Sequence, residues 1–523
     1  MTDNTIPSWV IPDEETYEWI DQGTVVFRSK FGPGISQRQS YADPTLRVTR
    51  THRKVRKEHL GGLMSALRRA KGVTNVVRTH MHQVQRGSFP ATELLTNPTF
   101  ESTAGWTASA GTFSVADRMA RIVADNPASG LGIYQLLTPT RYAPHVLRSD
   151  IRATLDSMRA GPFMNMGGLV DADGTNSGGL AVRGLRTVSG VYTDLGGSNV
   201  YAARITDTSG FVGGFDSVTV PYTSLSRCFE VDIGQNLLRR SDEFGTTWTT
   251  SNASISSNAT AAPDGTTTAD ALVENTSNAG HYVLQPFTVP ASYGDVCFCV
   301  AMKANTRSWG VLQVTDGTNT VYAHFNLSTG ALGTAGTTNA TLFAAVRSYV
   351  KPMGNGWYYC CLIFRNQSAN TGMTAYILPA TSDGGGTYLG TGVSSIYLWR
   401  GTASISGVPS RLVQTTSAVD NGTSPTGNQM FVKGLPESTA ALLLCDDWFE
   451  INGELKQVTS PVSADAAGMS IMRFEPGLVR SPLQSDPIIV RAPMGKFLMS
   501  DLKIDNDFGQ YSTVRYSLEH IYE

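Results

Sequence analysis

The chain has 523 residues, of which 41% are hydrophobic and 16% charged, with 52 glycines and a formal net charge of -2. At roughly 100–200 residues per domain this length suggests three or four domains, and a charged fraction well below about 25% excludes long salt-bridged helices and coiled coils. The near-neutral balance excludes a generally basic nucleic-acid binder, and no apolar run approaches the roughly 18 residues of a membrane helix. Met1–Asp21 is acidic and polar, with no Lys or Arg ahead of an apolar core, so no secretory signal is expected there. The body is rich in Ser, Thr, Gly, Ala and Val. That composition reads as an exposed β-rich protein made in the cytosol for use outside it, as a virus-particle component would be.

Composition divides the chain into residues 1–90, 91–232, 233–418 and 419–523. In the first stretch a helix is predicted over His59–Lys71, where Leu60, Leu63, Met64, Leu67 and Ala70 recur at helical spacing and Gly72 stands at the C-cap. Around it cluster Arg47, Arg50, Arg53, Lys54, Arg56, Lys57, Arg68, Arg69 and Lys71. Such a cluster suits nucleic acid, a solvated helix face or an acidic protein partner. Without interleaved aromatics the preferred reading is an assembly contact, with Arg53, Lys54, Arg56 and Lys57 as its residues.

The two middle stretches look like copies of one plan. The first opens Leu94-Leu95-Thr96-Asn97-Pro98-Thr99-Phe100 and reaches Gly105-Trp106; the second opens Asn236-Leu237-Leu238 and reaches Phe244 and Trp248. Each continues through polar turns into a Tyr-bearing strand, Gly132–Gln135 or His281–Gln285. A period of roughly 140 residues lies far above the 20–50 of solenoids and means duplicated domains. Within each copy, short Val/Ile/Thr/Tyr/Phe runs between Gly/Asn/Asp/Ser turns predict a sandwich or jelly roll. In the last stretch, Asn452-Gly453 between two strand-like runs predicts a type I′ hairpin.

Residues that could carry chemistry are sparse. Metalloprotease, nucleophile-elbow, phosphate-loop and EF-hand motifs are absent. His80 and His82 would share a strand face, but no Cys or carboxylate stands nearby at ligand spacing. Asp171 with Asp173 and Asp242 with Glu243 are the carboxylate pairs a glycoside hydrolase would need, set in turn-like sequence that favours acids anyway. Cys297 and Cys299 share one face of the strand Val296–Met302, while Cys360 and Cys361 point to opposite faces of Trp357–Phe364. If those strands are neighbours a four-sulfur metal site is conceivable, but adjacent Cys360 and Cys361 cannot both point into one site from a regular strand; the preferred reading is buried thiols acting as small hydrophobes. No catalytic residue, cofactor or metal is therefore predicted. The aromatics Trp106, Trp248, Trp309, Trp357, Tyr358, Tyr359, Tyr397 and Trp399 either fill the sandwich cores or stack on sugar rings. Trp357, Tyr359 and Trp399 are taken as the glycan-binding candidates.

Four motifs spread over residues 236–399 carry a resemblance. Asn236-Leu237-Leu238 with Phe244 and Trp248, Phe325-Asn326-Leu327-Ser328-Thr329-Gly330, Gly354-Asn355-Gly356-Trp357-Tyr358 and Tyr397-Leu398-Trp399 resemble the carbohydrate-binding-module-like jelly rolls of phage tail proteins. The first copy resembles the same broad class through Asn97-Pro98-Thr99-Phe100-Glu101, Gly105-Trp106 and Phe211–Val220, without the Gly-Asn-Gly-Trp-Tyr element. Asp447–Thr459, Asp465-Ala466-Ala467-Gly468, Phe474-Glu475-Pro476 and Gly495–Met499 resemble the C-terminal segment of siphophage distal-tail-like proteins.

The resemblance implies a mainly β chain. Residues 1–90 and 419–523 would make a split β-sandwich core with one helix, carrying two inserted jelly-roll domains at 91–232 and 233–418. It further implies a virion component at the tail tip, a homo-hexameric ring contacting tail tube and tip hub, with host-surface polysaccharide as the partner of its modules. A free-standing receptor-binding fibre or adhesin and a glycan-degrading tail enzyme are the alternatives.

Overall fold

The computed structural model describes residues 228–289, 294–506 and 511–521 continuously. Ahead of residue 228 it describes the strands between residues 4 and 227 together with residues 12–13, 67, 76, 81, 87, 89 and 94–106. The described chain is strands and turns, a mainly β fold. The helix expected over residues 59–71 lies outside the described residues apart from Leu67, which is buried.

Both ends of the chain meet in one six-stranded sheet, in the order Asn4–Thr5, Val77–His80, Met494–Asn506, Tyr511–His520, Thr45–Arg56 and Glu14–Ile20. Its strands show period-two burial: Val514, Tyr516 and Leu518 are buried while Arg515 is exposed. The buried face lies on a closed barrel, because Trp448 and Leu455 of the barrel pack with Leu46, Val48, Val77, Phe497, Val514, Tyr516 and Leu518.

The barrel runs through Phe229–Val231, Gly427–Lys433, Ser470–Leu478, Glu454–Val458, Trp448–Ile451 and Pro487–Ile489. Phe229–Val231 falls at the end of the stretch that the sequence assigned to the first module, yet pairs with Lys433, Val432, Ile488 and Pro487. The composition shift near residue 232 marks the start of the next module and hides a short barrel strand between the two. Asn452 and Gly453 take φ of 50° and 79°, which closes the Trp448–Ile451/Glu454–Val458 hairpin as its turn sequence requires.

The first module has a four-stranded and a five-stranded sheet; the second has two six-stranded sheets enclosing a core that includes Leu272, Phe298, Leu312, Phe325, Leu362 and Ile377. The same entry contacts open both. In the first, Thr96 N–H donates to Gln135 Oε1 (2.9 Å), Gln135 Nε2 returns to the Thr96 carbonyl (2.5 Å), Trp106 Nε1 donates to the Asn97 carbonyl (3.1 Å), and the Phe100 and Trp106 rings lie 5.2 Å apart. In the second, Arg239 N–H donates to Gln285 Oε1 (2.7 Å), Gln285 Nε2 returns to the Arg239 carbonyl (2.9 Å), Trp248 Nε1 donates to the Arg240 carbonyl (3.2 Å), and the Phe244 and Trp248 rings lie 4.9 Å apart. A glutamine amide thus satisfies the peptide groups of a chain entering from outside the sheet, where no ladder partner exists.

Candidate functional site

The three aromatic residues singled out from the sequence sit on one sheet of the second module, in the order Ala253–Thr260, Ala269–Glu274, Ser394–Ile405, Gly294–Ala304, Trp357–Asn366 and Phe343–Gly354. Their rings point away from the module core but do not reach solvent. Trp357 is 1% exposed and donates from Nε1 to the Ala261 carbonyl (3.1 Å). Tyr359 donates to the Ser410 carbonyl and lies 3.2 Å from Cys299 Sγ. Trp399 donates to Thr268 Oγ1 (3.2 Å) beneath the Arg400 guanidinium, 4.2 Å from its ring centre.

Residues 406–413 and the barrel loop around Glu437 cover this face, and Tyr349 donates to Glu437 Oε1 (2.9 Å). Tyr359 and Trp399 do line one cavity of ≈ 380 Å³ with Met353, Leu412 and Met469, although little of either ring is open to it. Trp357, Tyr359 and Trp399 are therefore packing residues rather than a sugar platform, because the chain leaving the module folds back over them.

The motifs themselves are turn chemistry. Asn355 and Gly356 have φ of 52° and 79° in the hairpin before Trp357, and Asn326 Oδ1 accepts the N–H groups of Ser328 and Thr329.

The opposite sheet is open. It runs through Thr249–Ser251, Tyr282–Thr288, Gly372–Ala380, Trp309–Thr315, Thr320–Asn326 and Leu332–Thr337. On Thr320–Asn326, Val321, Ala323 and Phe325 enter the core, which turns Tyr322 and His324 outward. By the same alternation Trp309, Val311 and Gln313 face out beside inward Leu312 and Val314. Tyr376 and Leu378 face out beside inward Ala375 and Ile377, and Tyr282 and Leu284 beside Val283.

Register aligns these side chains across strands: Leu284 stands opposite Tyr376, Tyr376 opposite Gln313, Gln313 opposite Tyr322, and Tyr322 opposite Gly336. Four strand spacings of about 4.8 Å make this row roughly 19 Å long. Tyr282 meets Tyr376 edge-on at 5.3 Å, and His324 meets Tyr322 at 5.7 Å.

Glycines shape the far edge. A Cβ at Gly336 would lie 3.1 Å from Tyr322 Oη, and one at Gly333 would lie 2.6 Å from the Trp309 ring, so both rings reach over glycine positions of that strand. Of the polar side chains on this face, Tyr282, Tyr322, Tyr376, Trp309 and Gln313 are half-buried and have no hydrogen-bond partner among the described residues, whereas His324 is buried with Nδ1 3.1 Å from the Thr334 carbonyl. Burial, with Tyr282 adding, raises the Tyr376 phenol above its ordinary value, so the hydroxyl stays protonated and able to donate. At the rim both oxygens of Asp383 are engaged by Thr334, at 2.8 Å from its N–H and 3.0 Å from its hydroxyl. Flat apolar rings beside unengaged donors and acceptors can stack on the C–H faces of a sugar chain and bond its hydroxyls.

Sequence reading placed Trp309 among the aromatics of the module and met Tyr282 only in the repeated strand His281–Gln285, and it overlooked Tyr322 and Tyr376. The alternation Val321-Tyr322-Ala323-His324-Phe325 was the available signal, since period two assigns one face to the core and the other to the outside.

The remaining candidates separate widely. The basic segment is answered within the chain by acids of the strand Glu14–Ile20 and by Glu519. Arg47 bonds Glu519 (2.7 Å), buried Arg50 bonds Glu15 (3.1 Å) and Arg53 bonds Glu14 (2.8 Å). Arg53 is thus engaged by its own chain. Pairing across the sheet brings in acids that lie far off in sequence. Lys54 and Arg56 lie on the strand Thr45–Arg56, their side chains outside the described residues, as is all of Lys57.

His80 is buried with Nδ1 3.0 Å from the Ala492 carbonyl, and His82 lies outside the described residues. Asp171 and Asp173 lie outside them too; Asp242 is gripped by Arg400 at 3.0 and 3.1 Å, and Glu243 by Arg240 at 2.5 Å.

No protein-family model matches the chain, and no curated protein matches it. Among solved structures it is similar to the CBM22-1–CBM22-2 tandem of Xyn10C from Paenibacillus barcinonensis, at 12% identity over 62% of this chain and 100% of that one, with a TM-score of 0.21. It is also similar to the tandem CBM51 modules of a family 98 glycoside hydrolase from Streptococcus pneumoniae, at 8% identity over 75% of this chain and 100% of that one, with a TM-score of 0.19. At such TM-scores the overlap is partial, and the sandwich description rests on the sheets themselves.

Proposed function

We propose that the chain is a non-catalytic glycan-binding protein that holds an extended polysaccharide along the row Leu284–Tyr376–Gln313–Tyr322 of the second module. The observation that carries this reading is the gathering of three tyrosine hydroxyls, an indole N–H and an amide, all without partners among the described residues, on one half-exposed sheet face. Apolar and polar groups alternate there at strand spacing, which suits a ligand that is itself apolar on its ring faces and polar at its edges.

The finer reading places the protein at a phage tail tip, as a homo-hexameric ring between tail tube and tip hub, adsorbing to host-surface polysaccharide. It is supported by the sequence resemblance of residues 447–499 and by a sheet that draws strands from both ends of the chain, leaving the second module as an insertion. Many weak sites on one ring would bind by avidity without any further contact.

The test is affinity electrophoresis of the full chain through gels containing polysaccharide from the bacterium to which the particle adsorbs. Retardation of the parent chain and its loss in Tyr322→Ala/Tyr376→Ala, at unchanged melting temperature, is the expected result. Equal retardation of parent and double variant, or no retardation of the parent, overturns it. Imaging of the assembled particle tests the ring: six copies at the tail tip are expected, and single copies elsewhere would exclude it.

A further inference from the structure

We propose that Cys297, Cys299 and Cys361 form a buried site for one thiophilic d10 metal ion, Zn²⁺ or Cu⁺, that ties two neighbouring strands of the second module's covered sheet together beneath the segment closing over it. The strands Gly294–Ala304 and Trp357–Asn366 are neighbours, and Cys299 stands directly opposite Cys361. Cys297 lies two residues away on the same face, so three thiols converge. Their sulfurs all lie within 4.8 Å of one another, with Cys297 and Cys299 Sγ 3.1 Å apart. Three sulfurs each about 2.3 Å from one ion stand roughly 4 Å apart, so small side-chain adjustments complete the site. Cys360, next in sequence, points the other way into the module core and cannot join it.

The surroundings point to an ion as well. Tyr359 places its hydroxyl 3.2 Å from Cys299 Sγ, within reach as a fourth, oxygen ligand, and ties the site to Ser410 of the covering segment. Lys433, fully buried in the barrel wall, has its ammonium on two neutral hydroxyls, Ser406 at 2.8 Å and Ser410 at 3.3 Å. Its charge is already answered inside the barrel, because buried Glu230 stands directly opposite it on the neighbouring strand. Three thiolates around Zn²⁺ carry a net charge of −1; around Cu⁺ they carry −2. The smaller residual charge favours Zn²⁺ in a buried site, while a three-sulfur donor set without a fourth thiolate suits trigonal Cu⁺. Because all three thiols are fully buried, the ion enters during folding and leaves only on unfolding.

The full chain is refolded anaerobically with Zn²⁺ in one arm and Cu⁺ in the other, dialysed against chelator, and its metal measured by mass spectrometry. One ion per chain is expected in at least one arm, and the arm that loads identifies the ion. It should survive chelator in the native state, be released when denaturant is added, and show sulfur scatterers in X-ray absorption. Retention should fall by more than about tenfold in Cys297→Ser and Cys361→Ser, since even outer-sphere changes cost that much. Exposed Cys445 supplies the control, and Cys445→Ser should keep its ion. Should the serine variants fail to fold, denaturant-triggered release from the parent chain decides alone. A parent chain retaining no ion in either arm, a Cys445→Ser that loses it, or a shell without sulfur overturns the site.

Discussion

The two sheets of the second module are built from the same kind of strand, with apolar residues facing the shared core and aromatics on the far side, yet their outer faces have opposite fates. On one, Tyr359 is tied to the covering segment at Ser410, Trp357 and Trp399 pack with Ala262 and Leu412, and the polar atoms Trp357 Nε1, Tyr359 Oη and Trp399 Nε1 all have protein partners. On the other, Tyr282, Tyr376, Tyr322 and Trp309 stay half-exposed with their polar atoms unengaged. An outward-pointing ring is therefore not a binding ring until it is known what lies over it. Satisfied polar atoms mark a face that the fold consumes, and unsatisfied ones a face left for a ligand.

The sharpest way to break this contrast is Trp357→Ala. Truncating a fully buried Trp costs about 3–5 kcal/mol, so urea unfolding should move to a far lower midpoint, and any loss of glycan retention should track unfolding. A Trp357→Ala chain of parental stability that no longer binds glycan would return the platform to the covered sheet.

A second effect belongs to Glu274 on that same sheet. Burial alone would raise its carboxyl, but hydrogen bonds from Arg307, Thr391 and Tyr388 outweigh it and hold the pKa at about 2, below the ordinary 4.5. A carboxyl depressed by folding contributes stability that is full above about 4.5 and lost as pH falls toward about 2. Acid titration of the parent chain should show that loss. Glu274→Gln should remove much of the slope and, at neutral pH, cost about 1.5–3 kcal/mol, the range for a hydrogen bond to a charged group. An unchanged acid slope in the variant would assign the transition to other groups.

On the open sheet the expected signs reverse. Tyr322→Ala and Tyr376→Ala should each weaken polysaccharide binding about tenfold, or about 1.4 kcal/mol, while urea midpoints barely move. The smallest effect is expected at the edge glycine. Gly336→Ala brings a methyl group to 3.1 Å from Tyr322 Oη, so the ring must shift slightly and binding should fall less than in Tyr322→Ala. Binding equal to that of the parent would show that the position of the Tyr322 hydroxyl does not matter.

Local chemistry was legible in the chain wherever neighbours in sequence are neighbours in space. The Asn452-Gly453 hairpin, the Gly-Asn-Gly turn before Trp357, the opposed directions of Cys360 and Cys361, and the paired openings at Thr96–Trp106 and Arg239–Trp248 all follow from turn preference, period-two alternation or repeated spacing. The mainly β fold follows from the same signals. The partners of the basic segment were not legible, because Glu14, Glu15 and Glu519 reach Arg53, Arg50 and Arg47 only through sheet pairing. The third sulfur beside Cys297 and Cys299 was legible only as a condition, because it depends on the strands Gly294–Ala304 and Trp357–Asn366 being neighbours.

By itself the sequence determined which residues turn, which alternate and which face a core, since those depend on backbone preference and the two-residue repeat of a strand. Only the tertiary structure decided which outer face of the second module is open. That outcome depends on the route of residues 406–413 and on a barrel whose strands come from residues 229–231 and 427–489. Alternation assigns a ring to a side of its sheet, whereas coverage is set by contacts between segments far apart in the chain, which no local pattern encodes.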